Sequence, residues 1–151
     1  MSLAEYKKKR DFKKTSEPSG IVKKAKSKKL IYCIQKHHAS HLHYDLRLEM
    51  LGVLKSWAIP KEPPREKGIK RLAVMTEDHP IEYGKFHGTI PEGNYGAGKV
   101  EIWDKGFYEL KISDSKKIEF FIHGKKLKGN YVLVKTHYGS RPEKSWLFMK
   151  V

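Results

Sequence analysis

One cysteine, Cys33, is all the thiol this 151-residue chain contains. An intrachain disulfide is therefore excluded, and a reducing compartment is expected. Long apolar runs are missing as well. Nothing in the sequence approaches the roughly 18 consecutive apolar residues that span a bilayer, and the first residues lack the apolar stretch of a secretory signal. These absences argue against a stapled secreted scaffold and a helical membrane protein, and a cytoplasmic protein with no membrane partner is the expectation. No long amphipathic helical period is found either. Acidic residues are scarce: 17 Asp and Glu stand against 32 Lys and Arg, a formal net charge of +15.

That charge is spread along the chain. Residues 1–29 hold 11 Lys and Arg against 3 acids, a charge of +8, which leaves +7 on residues 30–151. A polyanion is the natural partner of such a surface, with salt-sensitive binding through counterion release. The plain alternative is a solvated, solubilising surface. The length suits one domain. We divide it into a basic N-terminal arm over 1–29, partly mobile and broken at Glu17-Pro18-Ser19-Gly20, and a folded domain over 30–151.

From Leu30 onward, short β-like runs alternate with turn residues: 30–36, 41–50, 53–59, 71–76, 99–103, 107–110, 118–122, 129–135 and 145–151. Gly52, Lys105-Gly106, Gly124 and 136–143 are the expected turns, and Pro60, Pro63 and Pro64 mark a loop. Many short strands on a small chain predict an all-β, mainly antiparallel fold, a compact closed or nearly closed β-barrel.

Within 41–50 the alternation is strict. Leu42, Tyr44, Leu46, Leu48 and Met50 fall on one face of the strand, and His41, His43, Asp45, Arg47 and Glu49 on the other. A polar row on a strand ordinarily faces solvent. This one is unusual in its mixture of imidazole, carboxylate and guanidinium. Neighbours two apart on a face have Cα atoms about 6.5–7 Å apart, so His43 and Asp45 can converge on one ion, with His37 entering from the preceding segment. Two imidazoles and a carboxylate suit a borderline metal such as Mn²⁺, Fe²⁺ or Zn²⁺. Arg47 beside it offers a fork that matches phosphate oxygens.

Two further stretches carry candidates. In Thr76-Glu77-Asp78-His79-Pro80-Ile81-Glu82-Tyr83, His79 is placed to give a proton to a leaving oxygen or to bind phosphate, and Tyr83 is a second neutral donor. The ordinary reading is that His79 caps a turn before Pro80 and that Tyr83 belongs to the core. The glycine-rich stretch from Gly88 to Gly98 does not match a P-loop, and we read it as a tight structural turn from which Asn94 and Tyr95 can still reach a site.

Six motifs in order carry a resemblance: Gln35-Lys-His37; Leu42-His43-Tyr44-Asp45-Leu46-Arg47-Leu48-Glu49; Lys55-Ser-Trp-Ala-Ile-Pro-Lys61; Arg71-Leu-Ala-Val; Glu77-Asp-His79-Pro80; and Ile90-Pro-Glu-Gly-Asn-Tyr-Gly-Ala-Gly98. Together they resemble the 3′-phosphoesterase domain of bacterial DNA ligase D, a component of nonhomologous end joining. The resemblance runs from about Arg10 to the C-terminus.

It implies a β-barrel enzyme dependent on Mn²⁺, with Zn²⁺ or Co²⁺ as other candidate ions. Such an enzyme removes a 3′-terminal ribonucleoside from a primer strand and then hydrolyses the 3′-phosphate to a 3′-hydroxyl. By motif, the metal falls on His37, His43 and Asp45, and phosphate contacts fall on Arg47, His79 and Tyr83, joined by Lys61 and Arg71. Gln35 and Glu77 support activity. Arg10, Asp11 and Glu17 assist ribonucleoside removal from an arm that folds over the site. The implied substrates are primer–template 3′ ends bearing a ribonucleotide or a phosphate. No Lys-x-Asp-Gly of a nucleotidyl-transferring ligase occurs, so a separate ligase and polymerase are expected to act in trans. His38 and His41 are additional histidines within the motif region that can compete for metal. The competing readings are a non-catalytic end-binding module and a metallophosphatase for small molecules, the latter disfavoured by the extended basic surface.

Overall fold

A computed structural model of the chain describes residues 3–10, 29–137 and 139–151. Nine strands form one sheet: β1 (Leu30–His38), β2 (Leu42–Met50), β3 (Val53–Ile59), β4 (Lys70–Met75), β5 (Gly88–Ile90), β6 (Gly98–Ser113), β7 (Lys117–His123), β8 (Lys128–Lys135) and β9 (Ser145–Lys150). A short helix α1 (Ala4–Lys8) precedes them, and a 3₁₀ turn spans Ile81–Lys85. The strand order is β1-β2-β3-β4-β9-β8-β7-β6-β5, and β1 also pairs with β6. Eight strands thus close into an antiparallel barrel, as expected, with β5 added beside the first part of β6. Closure removes the open edges that a small sheet would otherwise expose. Among the described residues, no helix is long and apolar enough to cross a membrane.

The alternation of the strands fills the barrel. Tyr32 and Ile34 of β1, Leu46 and Leu48 of β2, Trp57 of β3, Ala73 of β4, Tyr108 of β6, Phe120 of β7, Leu133 of β8 and Phe148 of β9 belong to one buried cluster, so every strand of the ring contributes. Burying such side chains stabilises the fold by about 1.5–3 kcal/mol each.

A second apolar cluster lies on the outer side of the sheet. Tyr6 of α1, Leu54 of β3, Tyr83 of the 3₁₀ turn, Phe86, Ile90 of β5 and Val100 of β6 pack together there. This layer explains why the polar row of β2 is not solvent-facing: Asp45, Arg47 and Glu49 are only 7%, 3% and 6% exposed.

Three expectations about local structure change. The turn expected at Lys105-Gly106 is strand, and the two runs on either side of it are one 16-residue β6. Gly106 there serves close approach, because a Cβ would strike the His123 carbonyl of β7. His37 lies within β1, which runs on to His38. The stretch read as a tight turn from Gly88 begins as strand β5, Gly88–Ile90. Within the expected arm, α1 is anchored by the fully buried Tyr6. The arm expected over 1–29 is described at 3–10 and at Lys29, and Asp11 and Glu17 lie outside the described residues.

Candidate metal centre and phosphate pocket

The β1–β2 hairpin builds the centre by register. His37 pairs with His43, and Gln35 with Asp45. The two-residue period then places His43, Asp45 and Arg47 on the outer face. The ligand atoms of His37, His43 and Asp45 all lie within 4.8 Å of one another, the only such group among the described residues.

Hydrogen bonds fix which nitrogens are free to bind. His37 Nε2 donates to the Gly96 carbonyl at 2.6 Å, which leaves Nδ1 facing Asp45 Oδ2 at 3.6 Å. His43 Nδ1 donates to the His41 carbonyl at 3.0 Å, which leaves Nε2 facing the same oxygen at 3.3 Å. Backbone carbonyls thus set both tautomers, in the manner of outer-shell partners at metal sites. Two imidazole lone pairs and a carboxylate converge on one point, so the donor set fits a borderline divalent ion. Burial pushes the Asp45 carboxyl up, but the adjoining His37 and His43 rings and the Arg47 charge outweigh this and hold it well below the usual carboxylate range. Burial lowers the His43 pKa, yet the Asp45 carboxylate wins and the net shift is upward. Both shifts have the same origin, the attraction between the Asp45 carboxylate and the groups beside it.

Gly96 holds its carbonyl toward His37 with φ of 74°, a conformation that glycine adopts without strain. The glycine-rich loop is therefore part of the site as well as a structural turn. Tyr95 lines the pocket, whereas the Asn94 amide donates to the Pro91 carbonyl of its own loop.

Arg47 stands next to the carboxylate, its Nη2 3.6 Å from Asp45 Oδ2. Nε donates to Gln35 Oε1 at 2.6 Å and Nη1 to Ser56 Oγ at 2.7 Å. The guanidinium also lies 4.8 Å from the centre of the Tyr83 ring. The segment at 77–79 is tied to β3 by two backbone bonds between Leu54 and His79. His79 Nδ1 donates to the Glu77 carbonyl at 2.9 Å, so Nε2 is the acceptor that faces Arg10 Nη2 at 3.3 Å. Burial, with the charges of Arg47 and Arg10, holds His79 well below its ordinary pKa, so it is neutral. Glu77 clamps α1 and its end to the site through Lys9 and Arg10, each at 3.2 Å.

These groups surround one cavity of about 300 Å³, lined among others by Arg10, His37, His43, Asp45, Arg47, Glu77, His79 and Tyr83. Gln35 lies behind it and holds Arg47.

Lys61 and Arg71 are not brought there. They line a separate depression with Pro60, Lys70 and Leu72, and Arg71 Nε donates to the Glu62 carbonyl at 2.8 Å. The reason is positional, since Arg71 pairs with Phe148 on the β4–β9 side, with β3 between it and β2. His38 bonds to Glu101 at 3.0 Å, and His41 contributes only its carbonyl. Ser56 and the Gly96 carbonyl were not singled out from the sequence. A backbone carbonyl has no signature there, and Ser56 reads as an ordinary polar position on β3.

Residues 35–135 match the model of the DNA ligase D 3′-phosphoesterase domain. The chain belongs to this family. It is 46% identical over 155 residues to the "Multifunctional non-homologous end joining protein LigD" of Pseudomonas aeruginosa, covering 98% of this chain and 18% of the relative. It is 45% identical over 139 residues to the LigD protein of Mycobacterium tuberculosis, covering 89% and 18%. The Mycolicibacterium smegmatis LigD protein is 46% identical over 158 residues, covering 96% and 20%. The chain thus spans about a fifth of the length of these relatives. The residues matched to the LigD phosphoesterase family include the candidate ligands His37, His43 and Asp45 and also Arg47, His79 and Tyr83.

Proposed function

We propose that this chain is a metal-dependent 3′-phosphoesterase that heals DNA ends in nonhomologous end joining. In this reading it removes a 3′-terminal ribonucleoside from a primer strand and then the remaining 3′-phosphate, with Mn²⁺ at the centre and Zn²⁺ or Co²⁺ as substitutes. The observation that carries the reading is the convergence of His37, His43 and Asp45 in the same cavity as Arg47. Membership of the LigD phosphoesterase family supports the choice of a nucleic-acid end as substrate.

A divalent ion held by these ligands supplies Lewis-acid neutralisation of the phosphoryl oxygens. The rest is done by side chains. Arg47, fixed by Gln35 and Ser56, presents a preformed fork to the phosphate. Arg10, held by Glu77, supplies a second guanidinium. His79 enters neutral, so its Nε2 accepts a hydrogen bond from Arg10 and orients that guanidinium, and is not a ready acid. The Tyr83 ring lies under the Arg47 guanidinium and edge-on to His79, and keeps water from one side of the guanidinium. Lys61 and Arg71, outside the cavity, serve a neighbouring backbone phosphate of the duplex. Asp11 and Glu17 assist ribonucleoside removal.

The test is a labelled primer–template with one 3′-terminal ribonucleotide, incubated with Mn²⁺, with EDTA, or with the His43→Ala variant. Sequential formation of a 3′-phosphate and a 3′-hydroxyl, only with metal and intact His43, is the expected result. A bound but unchanged duplex under every condition would overturn it in favour of a non-catalytic end-binding module.

A further inference from the structure

Of the two tyrosines lining the cavity, Tyr83 is 2% exposed and Tyr95 is 49% exposed. Tyr83 belongs to the outer apolar cluster, and Tyr95 belongs to neither cluster. The Tyr95 ring therefore contributes little to the fold, and leaving it half in water forgoes apolar burial.

Its position is nevertheless defined. The loop turns through Gly93 and Gly96 with φ of 86° and 74°, and Ala97 N bonds to the Asn94 carbonyl at 3.1 Å. The residue after Tyr95 is Gly96, whose carbonyl holds His37. The ring thus stands one residue from a contact to the metal centre. Two cations flank it: Lys9 Nζ is 3.3 Å from the hydroxyl and 4.7 Å from the ring centre, and the Arg10 guanidinium is 5.4 Å from that centre. Lys9 and Arg10 are themselves anchored by Glu77 inside the pocket.

An exposed aromatic ring beside two cations, at the mouth of a cavity built for phosphate, has the chemistry of a base-stacking platform. We propose that Tyr95 stacks on the 3′-terminal nucleoside of the substrate strand and is a positioning residue for its removal. The proposal rests on the end-processing reading of the cavity. Every base has a π face, so the platform favours a nucleoside that carries a base over one that lacks it, without choosing among bases.

The experiment compares two labelled duplexes with Mn²⁺, one ending in a 3′-ribonucleotide and one in an abasic 3′-ribose. The wild type is expected to favour the base-bearing end about ten-fold in kcat/KM, expressed mainly in KM. Tyr95→Phe keeps the preference, because the ring is retained. Tyr95→Ala brings the ratio close to one. A tyrosine that merely shapes the loop acts on both ends alike through His37. An unchanged ratio in Tyr95→Ala, even with both rates reduced, therefore overturns the proposal, as does a wild-type ratio of one. If the wild type turns over neither end, the end-processing reading fails separately. The same ratio is then read as the Kd of each duplex by fluorescence anisotropy, and equal Kd values for wild type and Tyr95→Ala overturn the stacking role.

Discussion

Arg47 Nε donates to Gln35 Oε1 at 2.6 Å, and both side chains are buried. Gln35 Nε2 in turn donates to the carbonyls of Tyr83 at 2.6 Å and Phe86 at 3.0 Å. One amide thereby links β1, the cavity-lining Arg47 guanidinium and the 3₁₀ turn beneath the pocket. Gln35→Leu leaves buried polar groups without partners, at a cost of about 1–3 kcal/mol each. The expected outcome is a lower denaturant midpoint together with at least a ten-fold weaker Kd for a duplex bearing a 3′-phosphate. Metal binding survives, because His37, His43 and Asp45 keep their geometry. A variant that loses stability but keeps its phosphate affinity would show that Arg47 does not need this support.

The ligand set predicts a metal-dependent stability. A ligand bound only to the folded state, at 100 times its Kd, adds about 2.7 kcal/mol. Addition of Mn²⁺ should therefore raise the Tm of the wild type by several degrees. His43→Ala and Asp45→Asn should lose that increase. His38→Ala and His41→Ala should keep it, since the His38 side chain turns to Glu101 and His41 acts through its backbone carbonyl. Differential scanning fluorimetry across a Mn²⁺ titration reads all five proteins. Loss of the increase in His38→Ala would move the centre away from the three residues named.

His79 should remain neutral under conditions where an ordinary histidine is charged. Burial comes first among the causes, followed by the neighbouring Arg47 and Arg10 charges, and all three depress its pKa well below 6.5. The sign follows from linkage. Below 6.5 the unfolded chain takes up a proton that folded His79 refuses, so this contribution to stability is intact above 6.5 and is lost as the pH falls from there toward the folded value. His43, shifted upward by Asp45, works in the opposite direction, so a site-resolved measurement is needed. The ¹⁵N shifts of His79 at pH 6 should show Nδ1 protonated and Nε2 bare. An imidazolium at that pH would sink the assignment, and with it the proposed role of Nε2 as an acceptor.

The alternation in 41–50 made the face of the candidate metal centre legible, because a strand's period of two is local and strict. His37 was legible only as a neighbour, and it took the register of β1 against β2 to place it opposite His43. The burial of that polar face was not legible. It comes from Tyr6, Phe86 and Ile90, which lie far away in sequence and cover the sheet from outside. Gly106 misled because a glycine can mark either a turn or a close approach, and only the position of the His123 carbonyl distinguishes them. Arg71 lies within the stretch matched to the family yet lines a different depression, which sequence order alone does not reveal.

The β2–β3 hairpin offers a stabilising change far from the chemistry. Met50 pairs with Val53, so Leu51 and Gly52 form a two-residue turn, and both have positive φ, 51° and 83°. Such turns match the twist of the strands but need left-handed backbone at both positions, which Asn tolerates and Leu resists. Leu51 gains nothing in return, because its side chain is 83% exposed. Leu51→Asn should therefore stabilise the protein by about 1 kcal/mol, seen as a Tm increase of roughly 2–4 °C, with end processing unchanged. Leu51→Ala removes the same exposed side chain while keeping an unsuited backbone, and should give little of that gain. If the two variants melt together, the cost at this turn lies in the exposed leucine and not in its backbone.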